Sequence, residues 1–155
     1  MKKTLIAIGL AFAVPSAFAQ AADIDFNGNA ASACTFSSVS SGTLSVNGSA
    51  FSTSAAATYT VTNNDPGVFS VVAPQVTAFQ SAPGSAAMSG DLVQSLSVVS
   101  GDNSGSAFVG SDSAGYILDL TNIGSDNISH SVSGTITNPQ AGSYVVRVPV
   151  TCSAV

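Results

Sequence analysis

The stretch YVVRVPVTC, residues 144–152, closes the chain on a strict alternation of side chains. Successive residues of a β-strand point to opposite faces of a sheet, so this pattern predicts a strand with one apolar face that includes Cys152. The apolar set is Tyr144, Val146, Val148, Val150 and Cys152. Pro149 has no N–H for a ladder, which predicts an edge strand or one with its donor side exposed.

Cys34 is the only other cysteine, and it lies on the same side of its segment as Phe36. Both thiols are therefore expected to face a core, as a buried inter-strand bridge requires. A Cys34–Cys152 disulfide would join the first strand to the last, and a loop of about 100 residues would gain roughly 4.7 kcal/mol on the chain-entropy model. The alternative is two free buried cysteines.

Period-two alternation recurs along the chain, and turn-forming residues separate the alternating segments. The segments are residues 23–27, 43–46, 58–62, 92–98, 116–120 and 128–136. The turn signals are Asn47-Gly48, Asn64 to Gly67, Pro83-Gly84, Gly101 to Asn103, Gly124 to Asn127 and Asn138-Pro139. Short strands at this spacing predict an all-β fold, an antiparallel immunoglobulin-like β-sandwich.

The first 19 residues have the features of a bacterial-type signal peptide. Lys2 and Lys3 precede an apolar run, and Ala17-Phe18-Ala19 fits the A-x-A cleavage pattern. The run is too short to span a bilayer, and no later stretch reaches about 18 uninterrupted apolar residues, so we expect no membrane insertion. Residues 1–19 are thus predicted to be a signal peptide and residues 20–155 a single exported β-sandwich domain.

The charge pattern excludes several classes of partner. Beyond the predicted signal peptide, Arg147 is the only Lys or Arg, whereas all eight acidic residues are Asp. A chain without a basic patch cannot neutralise phosphates, so nucleic acid and anionic membrane surfaces are not expected partners. With only 7% charged but 45% hydrophobic residues, the chain is expected to fold and to leave its strand edges poorly protected against self-association.

Two sets of acidic residues suggest calcium only weakly. Residues 23–28, DIDFNG, match the first half of a calcium loop, but Cys34 stands where such a loop needs a bidentate Glu. Asp102, Asp112 and Asp126 lie in predicted Gly/Ser loops, where adventitious calcium or ordinary solvated turns are the alternatives. We therefore assign no metal and no cofactor.

No residue pattern indicates catalysis. His130 is the only histidine, and no G-x-S-x-G elbow surrounds any serine. His130 shares a strand face with apolar residues, which favours a structural role. We expect a protein that is not an enzyme and has no catalytic residues.

Three stretches resemble bacterial pilins of the chaperone–usher type, especially the spore-coat-U-like subunits. They are IDFNGNAASACTF (residues 24–36), YTVTNNDPGVFSVV (residues 59–72) and AGSYVVRVPVTC (residues 141–152). The chain departs from the family in its second cysteine, which would fall near Asn63 and instead stands at position 152. A Cys34–Cys152 bridge would therefore join different strands from the family's bridge.

The resemblance implies that residues 20–29 are a donated strand with Ile24 and Phe26 as its apolar plugs. The alternative is that this segment is the domain's own first strand. Head-to-tail donation would give a fibre, since such a contact does not close. The resemblance also implies a periplasmic chaperone and an outer-membrane assembly protein as partners.

Together these features predict a structural subunit of a bacterial surface filament or coat that self-associates through its strand edges. The expected location is the cell surface, a fimbrium or the extracellular medium, with the periplasm as an alternative. The competing interpretation is a monomeric secreted binding module for glycan or calcium.

Overall fold

The computed structural model describes residues 30–155, of which residues 31–155 form one compact unit. The fold of these residues is all-β, with two antiparallel sheets, as the alternation predicted. The strands are β1 (Cys34–Ser40), β2 (Thr43–Asn47), β3 (Ala50–Ala55), β4 (Ala57–Asn63), β5 (Phe69–Ala73), β6 (Ala87–Gly101), β7 (Val109–Ser111), β8 (Gly115–Asp119), β9 (Gly124–Thr137) and β10 (Thr151–Ala154).

The long strand β9 is the centre of the six-stranded sheet. It pairs along one side with β6 and along the other with β4 and then β3, while β1 extends the sheet beyond β4 and β2 extends it beyond β3. The four-stranded sheet has the order β10-β5-β8-β7. The edge position of β10 agrees with the edge strand that Pro149 predicted.

Along β9, buried side chains alternate with side chains that carry hydroxyl groups. The strand therefore has a core face and a polar outer face although it contains few charges. Ile128, His130 and Ile136 are buried. Their sequence neighbours on the other face carry hydroxyl groups: Ser129, Ser131, Ser133, Thr135 and Thr137. On β4 the same holds for Thr58, Thr60 and Thr62, which alternate with buried Tyr59, Val61 and Asn63. The outer face of this sheet is therefore polar without being charged.

The core consists of two clusters. The first contains Tyr59, Val61, Val71, Leu118, Leu120 and Ile128, with both cysteines packed against it. The second is built on Phe51, Leu92 and Ile136, with Phe79 between the rings of Phe51 and Tyr144 at centroid distances of 5.2 and 5.3 Å. The first cluster takes side chains from both sheets, whereas the buried residues of the second all come from the six-stranded sheet and are covered by the segments that contain Phe79 and Tyr144.

Cys34 and Cys152 form the predicted disulfide, with a Cα–Cα distance of 6.2 Å. Cys34 begins β1 in one sheet and Cys152 lies in β10 of the other, so the bridge joins an edge strand of each sheet. Directly opposite Cys34 in the β1–β4 pair lies Asn63. The disulfide therefore links the two sheets covalently at the side where β1 and β10 lie.

The predicted strand over residues 144–152 is wrong in its extent. Only its end, in β10, pairs with a neighbouring strand; before that, Val145 makes one isolated bridge with Ser81. The reason lies at Pro149, around which the Val150 N–H donates to the Val148 carbonyl at 3.0 Å and turns the chain. The predicted alternation nevertheless holds, because Tyr144, Val146, Val148 and Val150 are half-buried while Val145, Arg147 and Pro149 are exposed.

The turn predicted at Gly124 to Asn127 is also wrong, because these residues begin β9. Both flanks are paired, with β4 on one side and β6 on the other. The carboxylate of Asp126 is buried and accepts hydrogen bonds from the backbone N–H and the Nδ2 of Asn103, both at 2.7 Å. Tertiary hydrogen bonds therefore outweigh the local turn preference of Gly, Ser, Asp and Asn.

Removal of the disulfide tests its contribution to stability. We predict that the Cys34→Ala/Cys152→Ala double variant loses about 4 kcal/mol of unfolding free energy, because its unfolded chain regains the freedom of the open loop. Urea denaturation of the oxidised protein and of the variant measures the difference. A loss below about 1 kcal/mol would contradict the assigned role.

Candidate functional site

A groove of about 860 Å³ runs along the side of the sandwich on which the disulfide lies. We call it the edge groove. One wall is the edge of the six-stranded sheet, with Phe36 and residues 39–44, and the other is the extended segment 144–150. The floor contains Thr53, Ala57, Tyr59, His130 and Val132. Its lining is largely apolar, as in sites that take up apolar side chains.

The wall formed by residues 144–150 carries unpaired main chain. Within residues 30–155, the N–H groups of Val146, Arg147 and Val148 have no hydrogen-bond partner, and Val145 bonds only to the segment around Ser81. An extended chain with open N–H and C=O groups is a template for another strand. The groove therefore combines an apolar floor with a main-chain edge.

Tyr59 supplies an unpartnered hydroxyl to the groove floor. Its ring packs edge-to-face on Phe36 with centroids 5.7 Å apart. The hydroxyl is buried and has no hydrogen-bond partner among the residues that the structure describes. Burial raises the pKa of the Tyr59 phenol well above its ordinary value, so the group remains a neutral donor. A buried donor without an acceptor destabilises the folded chain by about 1–3 kcal/mol.

His130, the other polar group of the floor, is satisfied. Its Nε2 lies 3.0 Å from Oε1 of Gln94, whose Nε2 donates to the Pro74 carbonyl at 3.0 Å. Because that second bond orients the amide, the His130 Nε2 must carry the proton and donate to Gln94. Burial lowers the pKa of His130 to about 4, so the ring is neutral at neutral pH. Its recorded partner is an amide, which is the environment of a structural histidine.

Arg147 is the only Lys, Arg, Asp or Glu that lines the edge groove. It belongs to the unpaired wall and its side chain is exposed, on the opposite face from Val146 and Val148. A lone positive charge beside an uncharged apolar groove favours occupants with an acidic side chain next to apolar ones.

The predicted site residues have different outcomes. Cys34 and Cys152 are bonded to each other, and Phe36 and Val150, each two residues away along the chain, line the groove. Ile24, Phe26, the calcium-like residues 23–28 and the signal peptide at residues 1–19 lie outside the described residues.

The looser acidic cluster does not form a metal site. Among residues 30–155 there is no group of three or more His, Cys, Asp or Glu side chains that could hold a metal ion. Asp126 is bonded to Asn103, and Asp112 accepts from the Gln94 backbone and the Tyr116 hydroxyl, both at 3.0 Å. These carboxylates hold loops to strands.

The groove was not predicted from the sequence. The alternation of residues 144–152 predicted one continuous strand, and nothing in the sequence indicated that the Tyr59 hydroxyl would lack a partner within residues 30–155. Pro149 was the available signal, since a residue that cannot donate and that turns the chain interrupts a ladder. The open wall could be recognised only once it was known that, of residues 144–155, β5 pairs with residues 151–154 and not with the segment before them.

Comparison of the chain with protein-family models, with curated proteins and with solved structures finds no match. Within the described range, residues 30–155, no helix has the length and apolar character needed to cross a membrane.

Tyr59 can be tested by deletion of its hydroxyl alone. We predict that Tyr59→Phe leaves the unfolding free energy unchanged or raises it by about 1 kcal/mol, because it removes a buried donor that has no acceptor. Urea denaturation measures this. As a control, Phe36→Ala removes the ring against which Tyr59 packs and is expected to destabilise. A loss of more than 1 kcal/mol for Tyr59→Phe would mean that the hydroxyl has a partner.

The lowered pKa of His130 predicts that the free energy of unfolding depends on pH. Its pKa is lower in the folded chain than in the unfolded chain, so the unfolded state takes up the proton first as pH falls from about 6.5 towards 4. The free energy of unfolding should therefore drop by about 2 kcal/mol between pH 7 and pH 5 and level off below pH 4 for this group. In His130→Gln this drop should be absent. Urea titrations at each pH give the comparison, and equal slopes in both proteins would contradict it.

Proposed function

We propose that the protein is a structural subunit of a bacterial surface filament or coat, in which each copy inserts its N-terminal segment into the edge groove of the next. The single observation that carries this proposal lies in the wall formed by residues 144–150, beside an apolar floor. There, the N–H groups of Val146, Arg147 and Val148 have no hydrogen-bond partner within residues 30–155. An added strand would satisfy the free N–H and C=O groups, while alternate apolar side chains would fill the groove.

Residues 20–29 match this requirement in length and pattern. At about 3.3 Å per residue they reach roughly 33 Å, against roughly 23 Å for the wall formed by residues 144–150. Ile24 and Phe26 alternate with polar residues, so one face of an extended segment would carry both apolar plugs.

The described chain begins at the β1–β4 edge, next to the segment that would be donated. Asn64 accepts at Oδ1 from the Ala33 N–H at 2.6 Å and donates from Nδ2 to the Ala31 carbonyl at 2.9 Å. The Asn64 N–H donates to the Ala33 carbonyl at 3.2 Å. These bonds carry the β1–β4 pairing past Cys34, so residues 31–33 run on in line with β1 beyond the disulfide.

Two further features agree with the resemblance to chaperone–usher pilins. Asn63, where that family's second cysteine would fall, lies directly opposite Cys34. The edge strands β1 and β2 contain no charged residue, so no charge opposes strand addition there. A subunit with an open groove would need a periplasmic chaperone to cover it before an outer-membrane assembly protein passes it to the surface.

The donated plugs provide the direct test. We predict that mature protein, residues 20–155, forms polymers or strand-swapped oligomers, and that Ile24→Ser/Phe26→Ser reduces them at least tenfold because the segment can no longer fill an apolar groove. Size-exclusion chromatography and negative-stain imaging measure the distribution.

Val93→Ser/Val99→Ser is the matched control, since it removes two exposed valines from β6, outside the groove. It should leave polymers intact. If the plug variant polymerises as the parent does, donation is wrong. A strict monomer that binds sugar or calcium would instead favour the secreted binding module.

A further inference from the structure

Arg147 stands at the one place on the edge groove where a neighbouring strand would meet a charge. No acidic residue lines the groove with it in the part of the chain that the structure describes. Its side chain is exposed, and its sequence neighbours Val146 and Val148 turn inward against the second core cluster. A strand laid along this wall would therefore face Arg147 on its outer side.

The segment proposed to be donated carries acidic residues at the matching positions. Asp25 lies between Ile24 and Phe26, just as Arg147 lies between Val146 and Val148. Paired strands place inward residues opposite inward residues. When Ile24 and Phe26 oppose Val146 and Val148, Asp25 opposes Arg147, whether the two strands run parallel or antiparallel.

Side-chain size favours this register over a shift by two residues. The ring of Tyr144 already packs on Phe79 at 5.3 Å, so little room remains beside it. With Asp25 opposite Arg147, the residue facing Tyr144 is Gly28 in the antiparallel arrangement and Ala22 in the parallel one. An antiparallel shift that brings Asp23 to Arg147 would instead place Phe26 against Tyr144. Of the two antiparallel registers that place an Asp opposite Arg147, the one with Asp25 is therefore the one that puts a small residue beside Tyr144.

We propose that Arg147 of one copy and Asp25 of the next form a cross-strand ion pair that sets the register of the donated segment. This inference rests on the proposed function. It adds Arg147 as the residue that selects the occupant of the edge groove. The selected occupant is an extended segment with an acidic side chain between two apolar ones. A pair on an exposed face contributes little affinity, so its effect is selection among registers.

The test is a double-mutant cycle between a subunit and a peptide. The subunit is the mature chain carrying Ile24→Ser/Phe26→Ser, which keeps its groove but has lost its own plugs. The probe is a labelled synthetic peptide of residues 20–31, and fluorescence anisotropy gives its Kd. We expect Arg147→Asp in the subunit, or Asp25→Arg in the peptide, to weaken binding about fivefold each, and the two together to restore it to within about twofold.

A peptide with Asp23→Arg is the matched control, because it has the same net charge as the Asp25→Arg peptide. It should not be rescued by Arg147→Asp. The coupling between Asp25 and Arg147 should fade in 1 M NaCl, where exposed charges are screened. Circular dichroism confirms that each subunit variant is folded.

The possible results distinguish a failure of the proposed ion pair from a failure of strand donation. Rescue of the Asp25→Arg peptide alone supports the proposal. Rescue of the Asp23→Arg peptide, or binding without any coupling, overturns the ion pair while strand donation stands. If no subunit binds the parent peptide, strand donation and the ion pair both fail.

Discussion

The Cys34–Cys152 disulfide is the constraint on which the open side of this domain depends. It links the edge strands of the two sheets, and both of its cysteines pack against the first core cluster. Beyond the bridge, the two sheet edges are no longer held together by backbone hydrogen bonds within residues 30–155, since the wall formed by residues 144–150 has no ladder partner. One covalent contact therefore anchors the end of the edge groove while its length stays accessible.

Surface chemistry makes the groove distinct from the rest of the molecule. The outer face of the six-stranded sheet is covered by Ser and Thr side chains, some of which bond to one another across strands, as Thr62 does to Ser125 at 2.7 Å. These hydroxyl groups keep the face well hydrated, although exposed valines such as Val93 lie among them. The edge groove instead presents apolar side chains beside main-chain groups that have no partner within residues 30–155, which is the combination that the proposed strand addition requires.

His130 and the Tyr59 hydroxyl, two polar groups of the groove floor, differ in whether they have a hydrogen-bond partner. His130 is held by Gln94 and Pro74, so it is complete in the isolated domain. The Tyr59 hydroxyl has no acceptor among the described residues. If a donated strand fills the groove as proposed, its carbonyl groups would be the candidate acceptors for this hydroxyl.

The sequence by itself determined which residues face inward, because alternation is a local property of an extended chain. It therefore predicted the antiparallel all-β fold, the inward set of residues 144–152, the buried His130 and the disulfide. It failed at Gly124 to Asn127 and over residues 144–150, where local turn and strand preferences gave the wrong answer. Which extended segments have partners follows only from the tertiary structure. Asn103 and two flanking strands hold Asp126 in β9. Beside the short β5 and the turn at Pro149, the N–H groups of Val146, Arg147 and Val148 have no partner within residues 30–155. The physical reason is that a side chain's face is set by its own backbone, but a ladder hydrogen bond needs a second strand that is distant in sequence.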